Sequence, residues 1–345
     1  MTSKERVHAA LRREPVDRVP MWMWYHGQIY AALREKYGWD ADRADAELGN
    51  DIRQVHVSIN REMFRPLTPG QRFVDDWGVT WEQAGIYNQV CRNPLHDLPV
   101  SALADYRFPE PEAPDRFVPL QRLCERFGKE YFIGADVSGA IFEPAYHIRG
   151  MDKLLMDMVE APEAVSVFFD RAAEFTRRVC LAALRFPVDW IWLGDDVGGQ
   201  QAMLMAPDLW RELLKPRLAG IIAAVKAARP GIFVAYHSCG AIRPVIPDLV
   251  EIGVDVLNPI QPLCPGMAPR ELKREFGKRL SFMGGLDTQE FLVRATPAAV
   301  ERHSHALVCD MSAAGGGYIF AASHTIQPDT PLANVLALSK AVQAR

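Results

Sequence analysis

Short apolar runs rich in β-branched and aromatic residues alternate along this chain with longer stretches of helical period. The first run is VPMWMWY, Val19 to Tyr25, followed by GQIYAALREKYG with the spacing of an amphipathic helix. DIRQVHVS, Asp51 to Ser58, reads as a second strand. Residues 59–118 are proline-rich and irregular, with a hairpin signal in WGVTWEQAGIYNQV. Beyond them YFIGADVSG, VDWIWLGDD, IFVAYHSCG, VDVLNPIQ, LSFMGGLD and GGYIFAASH bring the strands to eight. The segments APDLWRELLKPRLAGIIAAVKAARP and TPAAVERHSHALVCDMSAAG have helical period, and the first stops at Arg-Pro-Gly. Eight such units predict a parallel sheet closed into an α/β (β/α)8 TIM barrel with an N-terminal helical and hairpin elaboration, occupying residues 1–345 as one domain. No GxGxxG follows the first strand, which argues against a dinucleotide-binding open sheet.

A barrel of this kind carries its chemistry at the carboxyl ends of the strands. Those ends read Tyr25-His26, Asp136, Asp195-Asp196, His237-Ser238-Cys239, Asn258 to Gln261, Asp287 and Ser323-His324. His237 and Cys239 are two apart, so on a strand they share a face and can offer an imidazole nitrogen and a thiolate to one ion. Zn2+ accepts that pair, and its catalytic sites take three protein ligands and keep one position open. The third ligand is expected from His324 first, then Asp196, then Cys264 in PLCPGM. The competing account is a buried histidine bonded to backbone beside an inert cysteine.

Asp136, Asp196 and His324 are the candidate catalytic groups, although GDD also suits a turn that caps a helix. Gln200, Asn258 and Gln261 suit neutral polar contacts to a small-molecule substrate, and Asp287 either braces the pocket or caps the next helix. Tyr25 and His26, with the nearby tryptophans, suit an aromatic cavity.

Charge and cysteine usage narrow the partners. A formal net charge of −4 over 345 residues gives no electrostatic case for nucleic acid or an anionic membrane. No apolar run reaches the roughly 18 residues of a membrane span. The six cysteines show no paired spacing and read as reduced thiols. The charged start MTSKERVHAALRREPVDR is unlike a secretory leader, so a cytoplasmic protein is expected.

Several long motifs, in order, resemble the uroporphyrinogen decarboxylase superfamily, and within it the zinc-dependent, cobalamin-linked methyltransferase branch. They are ERVHAALRREPVDRVPMW, GMDKLLMDMVEAPEAV, WLGDDVGGQQAMLMAPDLWRELLKPRL, HSCGAIRPVIPDLVEIGVDVLNPIQP, LSFMGGLDTQEFL and GGGYIFAASHTIQPDTPLANVLAL. The resemblance implies a (β/α)8 barrel and a zinc ion held by the H-x-C pair, His237 and Cys239. In that branch a cysteine near the eighth strand completes the set; here His324 stands in its place.

The resemblance further implies methyl transfer with cobalamin carried on a separate corrinoid protein, since no D-x-H-x-x-G run occurs here. It is compatible with a homodimer. The methyl chemistry is either activation of an acceptor thiol or demethylation of a methoxy donor. The decarboxylase branch carries an arginine-bearing RQAGRY-type motif after its first strand, where this chain has His26, Gly27 and Gln28. Without those cations each buried substrate carboxylate would cost several kcal/mol, which argues against a tetrapyrrole decarboxylase. The alternative is a metal-free carboxy-lyase acting on a small carboxylated substrate, with His324 or Asp136 as its acid–base group. A third is a binding protein without chemistry.

Overall fold

The computed structural model describes residues 1–59, 65, 67–313 and 315–343. Its main sheet has seven parallel strands: β1 (Ile52–His56), β5 (Phe132–Ser138), β6 (Trp190–Gly194), β7 (Phe233–His237), β8 (Val256–Ile260), β9 (Ser281–Leu286) and β10 (Tyr318–Ala322). They hydrogen-bond in that order, each followed by helices that pack on the outer face. The arrangement is a TIM-barrel-like α/β fold. Between β1 and β5 lie the small antiparallel sheet β2 (Arg72–Val74), β3 (Thr80–Ala84) and β4 (Tyr87–Arg92) and two helices, Ala102–Asp105 and Pro114–Phe127. No helix among the described residues is long and apolar enough to cross a membrane.

The segment expected as the first strand is not a regular one. It lies between β10 and β1 and closes the ring through single bridges, Met21 to Phe320 and Tyr25 to Ile326. On the β10 side the bonds are backbone to backbone: Trp22 N–H donates to Phe320 at 3.0 Å and Phe320 N–H to Pro20 at 2.8 Å. On the β1 side, side chains take over part of the ladder. Met21 N–H donates to the Asp51 carboxylate at 2.9 Å, and Met23 N–H to the Asn50 amide oxygen at 2.8 Å. Pro20, which has no N–H, cannot extend a ladder.

Alternation fills the barrel. Ile52, Phe132, Trp190, Trp192, Ala235, Val256, Met283, Ile319 and Ala321 form one buried cluster with Trp22, and Val7 and Leu11 of the helix Ser3–Arg12 join it from the amino-terminal end. A second, larger core lies between sheet and helices. The helix Pro162–Ala183 contributes Val165, Phe168, Phe169, Ala172, Phe175, Thr176 and Val179, a stripe of helical period. The helix expected to run unbroken from Ala206 divides into Pro207–Leu213 and Lys215–Ala228, because Pro216 supplies no N–H to the preceding turn. With the bottom and middle of the barrel apolar, polar inward positions are left to the carboxyl ends.

Candidate metal centre

On β7 the inward positions are Phe233, Ala235 and His237, and Cys239 lies two residues further on. The His237 ring is set by Asn258 at the same level of β8, with Nδ1 2.7 Å from the amide oxygen. That acceptor puts the proton on Nδ1 and leaves the Nε2 lone pair facing the mouth. Nε2 is 3.5 Å from Cys239 Sγ and 3.6 Å from Asp196 Oδ1. Asp196, just past β6, is drawn in because its Oδ1 also accepts the Cys239 backbone N–H at 2.8 Å. One ligand atom from each of Asp196, His237 and Cys239 lies within 4.8 Å of the other two.

The backbone allows this crowding through glycines. A Cβ on Gly194 would stand 2.8 Å from the His237 Cβ and carbonyl oxygen, so the two neighbouring strands approach only with glycine there. Gly240, after the cysteine, has φ +85° and packs on the backbone of Gly198. Its N–H donates to the Gln261 side chain at 2.8 Å.

A nitrogen and a sulfur from the end of β7 and a carboxylate oxygen from the end of β6 are donor types that zinc accepts, three in number as in catalytic sites that keep one position open. The electrostatics fit a cation. Burial, then the negative charge of Asp196 and Glu143, pushes the Cys239 thiol well above its ordinary range. The thiol is therefore neutral on its own, and a divalent cation is what would ionise it. Binding is thus expected to release a proton.

The other expected site residues fall into distinct places. His324 is exposed beside the centre and outside the three-atom group. Packing around its ring lowers its pKa, His237 lowers it further, and Asp196 opposes them. Cys264 is buried, its sulfur 3.5 Å from Gln261 Oε1 and 3.7 Å from Gln200 Oε1. Asp195 is buried beneath Asp196 and accepts the N–H groups of Ile141 at 3.0 Å and Glu143 at 2.9 Å, which caps the helix Phe142–Arg149. Asp287 caps in the same way, accepting from Gln289, Glu290 and Phe291. Tyr25 is buried in the outer core against Tyr30, and His26 caps the helix Gly27–Tyr37 through Gln28 N–H. Asp136 belongs to a separate polar group with His56, 3.1 Å from its Nδ1.

Of two further contributors, one went unnoticed in the sequence and the other was read there only among the tryptophans near Tyr25 that suit an aromatic cavity. Glu143 is buried, and its Oε1 accepts the Asp196 N–H at 3.0 Å, fixing the backbone of that candidate ligand. Trp24 is half-buried, with its ring 5.9 Å from His237 and 5.4 Å from Trp192. Neither stands out locally, since an acid in a first helical turn and a tryptophan in an apolar run both have ordinary structural explanations.

Comparisons with known proteins agree with this architecture. The chain is 26 % identical over 369 residues to a uroporphyrinogen decarboxylase of Roseiflexus sp., covering 98 % of this chain and 97 % of the relative. It is 23 % identical over 311 residues to the methylcobamide:CoM methyltransferase MtbA of Methanosarcina acetivorans, covering 88 % of each. A solved methyltransferase from Methanosarcina mazei superposes with a TM-score of 0.74 at 19 % identity, covering 99 % of this chain and 98 % of that one. A model of the uroporphyrinogen decarboxylase (URO-D) family matches residues 95–345, and with the fold in agreement the chain belongs to that family.

Proposed function

We propose that this protein is a zinc-dependent methyltransferase that moves a methyl group between a small substrate and a corrinoid carried by a separate protein. The reading rests on one observation: the convergence of Asp196, His237 and Cys239 at the carboxyl ends of β6 and β7, with His237 fixed by Asn258. The relatedness to MtbA, whose name describes methyl transfer from a methylcobamide to CoM, supports it. Zinc would supply Lewis acidity at its open position, acidifying a thiol or polarising an ether oxygen. The chain's own residues do the rest. His237 and Cys239 hold the ion, Asp196 closes the set, Glu143 and Asn258 keep Asp196 and His237 in place, and Trp24 and Trp192 give the substrate an apolar wall.

Metal content of purified protein tests this directly. About one zinc per chain is expected in the wild type. Cys239→Ala should lose it, and Asp196→Asn should weaken its retention. His324→Ala should keep it if Asp196 is the third ligand, and should lose it if His324 takes that place in the loaded protein. Wild type that neither contains nor takes up zinc would overturn the reading. Metal-free turnover of a small carboxylated substrate would then make the protein a carboxy-lyase like its decarboxylase relatives.

A further inference from the structure

The mouth around the metal cluster carries more carboxylate than one divalent ion uses. Cys239 as a thiolate and Asp196 together balance the charge of a zinc ion. Two further acids stand directly behind them. Glu143 is 6 % exposed, and its Oε1 accepts the Asp196 N–H at 3.0 Å. Asp195 is 3 % exposed and accepts the amides of Ile141 at 3.0 Å and Glu143 at 2.9 Å. Both acids sit at the start of the helix Phe142–Arg149. A helix amino terminus supplies roughly half a positive charge, less than a single carboxylate carries. The loaded centre therefore keeps a negative balance, and burial lets it act with little screening. Tyr146 of the same helix registers it. Burial pushes its pKa well above the usual range, and Glu143, Asp196 and Asp195 push it further.

The rim does not answer these acids with cations. Among the described residues, the strand ends named above carry no lysine or arginine. Three arginines on segments that follow the strands are turned elsewhere. Arg243 donates to Glu275 and to the Gly266 carbonyl, Arg149 pairs with Asp157 at 2.7 Å, and Arg65 lies over the Phe73 ring of the small sheet.

What the rim offers instead is an aromatic face. Trp22 and Trp24 are two apart in the closing segment and share its inward side. Trp22 belongs to the buried barrel cluster, and Trp24 stands a layer higher and is half-buried. Edge contacts to Trp22 at 4.6 Å and Trp192 at 5.4 Å fix the Trp24 ring, 5.9 Å from that of His237. A fixed indole beside surplus carboxylate suits an alkylammonium group.

We propose that the small substrate of this centre is a thiol carrying a positive charge, an alkylammonium group seated against Trp24 in the field of Glu143. This rests on the methyl-transfer reading above and adds the charge that selects among thiols. In the transfer the sulfur gives its proton to solvent, and its electron pair makes the new bond to carbon. The cobalt–carbon pair stays on the corrinoid, which passes from Co(III) to Co(I). The ammonium takes no part in that chemistry; it sets affinity. An anionic thiol of the same length meets repulsion instead. A unit charge near a buried carboxylate shifts affinity about tenfold in either direction, so cation and anion should differ by on the order of 100-fold.

The test uses zinc-loaded wild type, Glu143→Gln and Trp24→Leu with cysteamine, 2-mercaptoethanol and 2-mercaptoethanesulfonate, one chain length with three charges. Binding is measured by titration calorimetry and corrected for the acidity of each thiol. Methyl transfer from methylcobalamin is divided by the rate without protein, and zinc content and thermal melts are taken for every variant. Wild type should bind cysteamine most tightly and the sulfonate most weakly. Glu143→Gln can still accept the Asp196 N–H, so it should hold its zinc while the spread narrows toward one. Trp24→Leu should weaken cysteamine roughly fivefold and leave the sulfonate as it was. Equal affinities, a tighter sulfonate, or loaded protein that binds none of the three would overturn the proposal. Methyl transfer to any of them would then leave the methyltransferase reading standing. A spread that Glu143→Gln does not narrow would overturn Glu143 as its source. The expected spread without methyl transfer would overturn the methyltransferase reading and keep the cationic ligand. Wild type that takes up no zinc would remove both.

Discussion

At Gly134 a missing side chain holds a polar network together. A Cβ there would stand 2.3 Å from both Gln54 Oε1 and Trp190 Nε1, the two atoms whose hydrogen bond fixes Gln54 against Asp136. Gly134→Ala should therefore cost about 1–3 kcal/mol, the usual range for overpacking, read as a lower urea midpoint. An unchanged midpoint would mean that the strands yield more easily than the contacts imply. His147 makes a pH prediction. Burial against Trp81 pushes its pKa down to about 4 from 6.5. The unfolded chain takes up the proton first, so stability is full above pH 6.5 and is lost as pH falls toward 4. The loss is roughly 3 kcal/mol. His147→Phe should gain on wild type by a few kcal/mol between pH 7 and 4.5 in urea titrations, and a constant difference would count against the argument. How much of the site was legible follows from the same physics. His237 and Cys239 stand out because two-residue spacing at a strand end is a pattern of its own. Asp196 was one of three candidates, because sequence does not say which loop folds back onto the pair. His56 looks like an ordinary half-buried strand residue until its neighbours are in place, and Trp24 was legible only as one of the tryptophans suited to an aromatic cavity.

At the scale of elements, strands β5 to β10 were legible because each is a short apolar run between helical segments, and burial on both faces produces such runs. The closing segment differs from its expectation because Asn50 and Asp51 substitute side-chain groups for part of a ladder, which periodicity does not reveal. Strand β2 went unseen because it is three residues long and mostly exposed. The side-chain closure has a testable consequence. Asp51 is buried and accepts from Arg6 at 2.7 Å, Arg18 at 2.7 Å, Ser3 at 2.7 Å and the Met21 N–H at 2.9 Å. Asp51→Asn leaves Arg18 without its counter-charge, while Arg6 keeps Asp17, and should cost about 3 kcal/mol. Amide exchange at Met21 and Met23 should quicken more than exchange in β6 or β7, because the closing segment opens first. Uniform acceleration across all strands would show instead that the closure and the barrel open as one unit.

For the whole molecule, the question is whether the metal builds the fold or only occupies it. The donors sit on loops at one end of a barrel whose interior is already filled by Trp22, Trp190, Trp192, Phe132 and their neighbours. Asn258, Glu143 and the Cys239 backbone already satisfy polar groups of the cluster without an ion. The fold therefore does not depend on metal in the way a small zinc domain does. An ion that binds only the native state still stabilises it by mass action, roughly 2.7 kcal/mol when free metal is a hundred times its dissociation constant. Protein stripped with a chelator should keep the far-ultraviolet circular dichroism of the loaded form and melt cooperatively at a lower temperature. Returning zinc should raise the melting point in proportion to the logarithm of its concentration, and Cys239→Ala should show neither loss nor recovery. Collapse of secondary structure on chelation would mean that the mouth is a structural staple, and the division between an apolar barrel floor and a reactive rim would have to be given up.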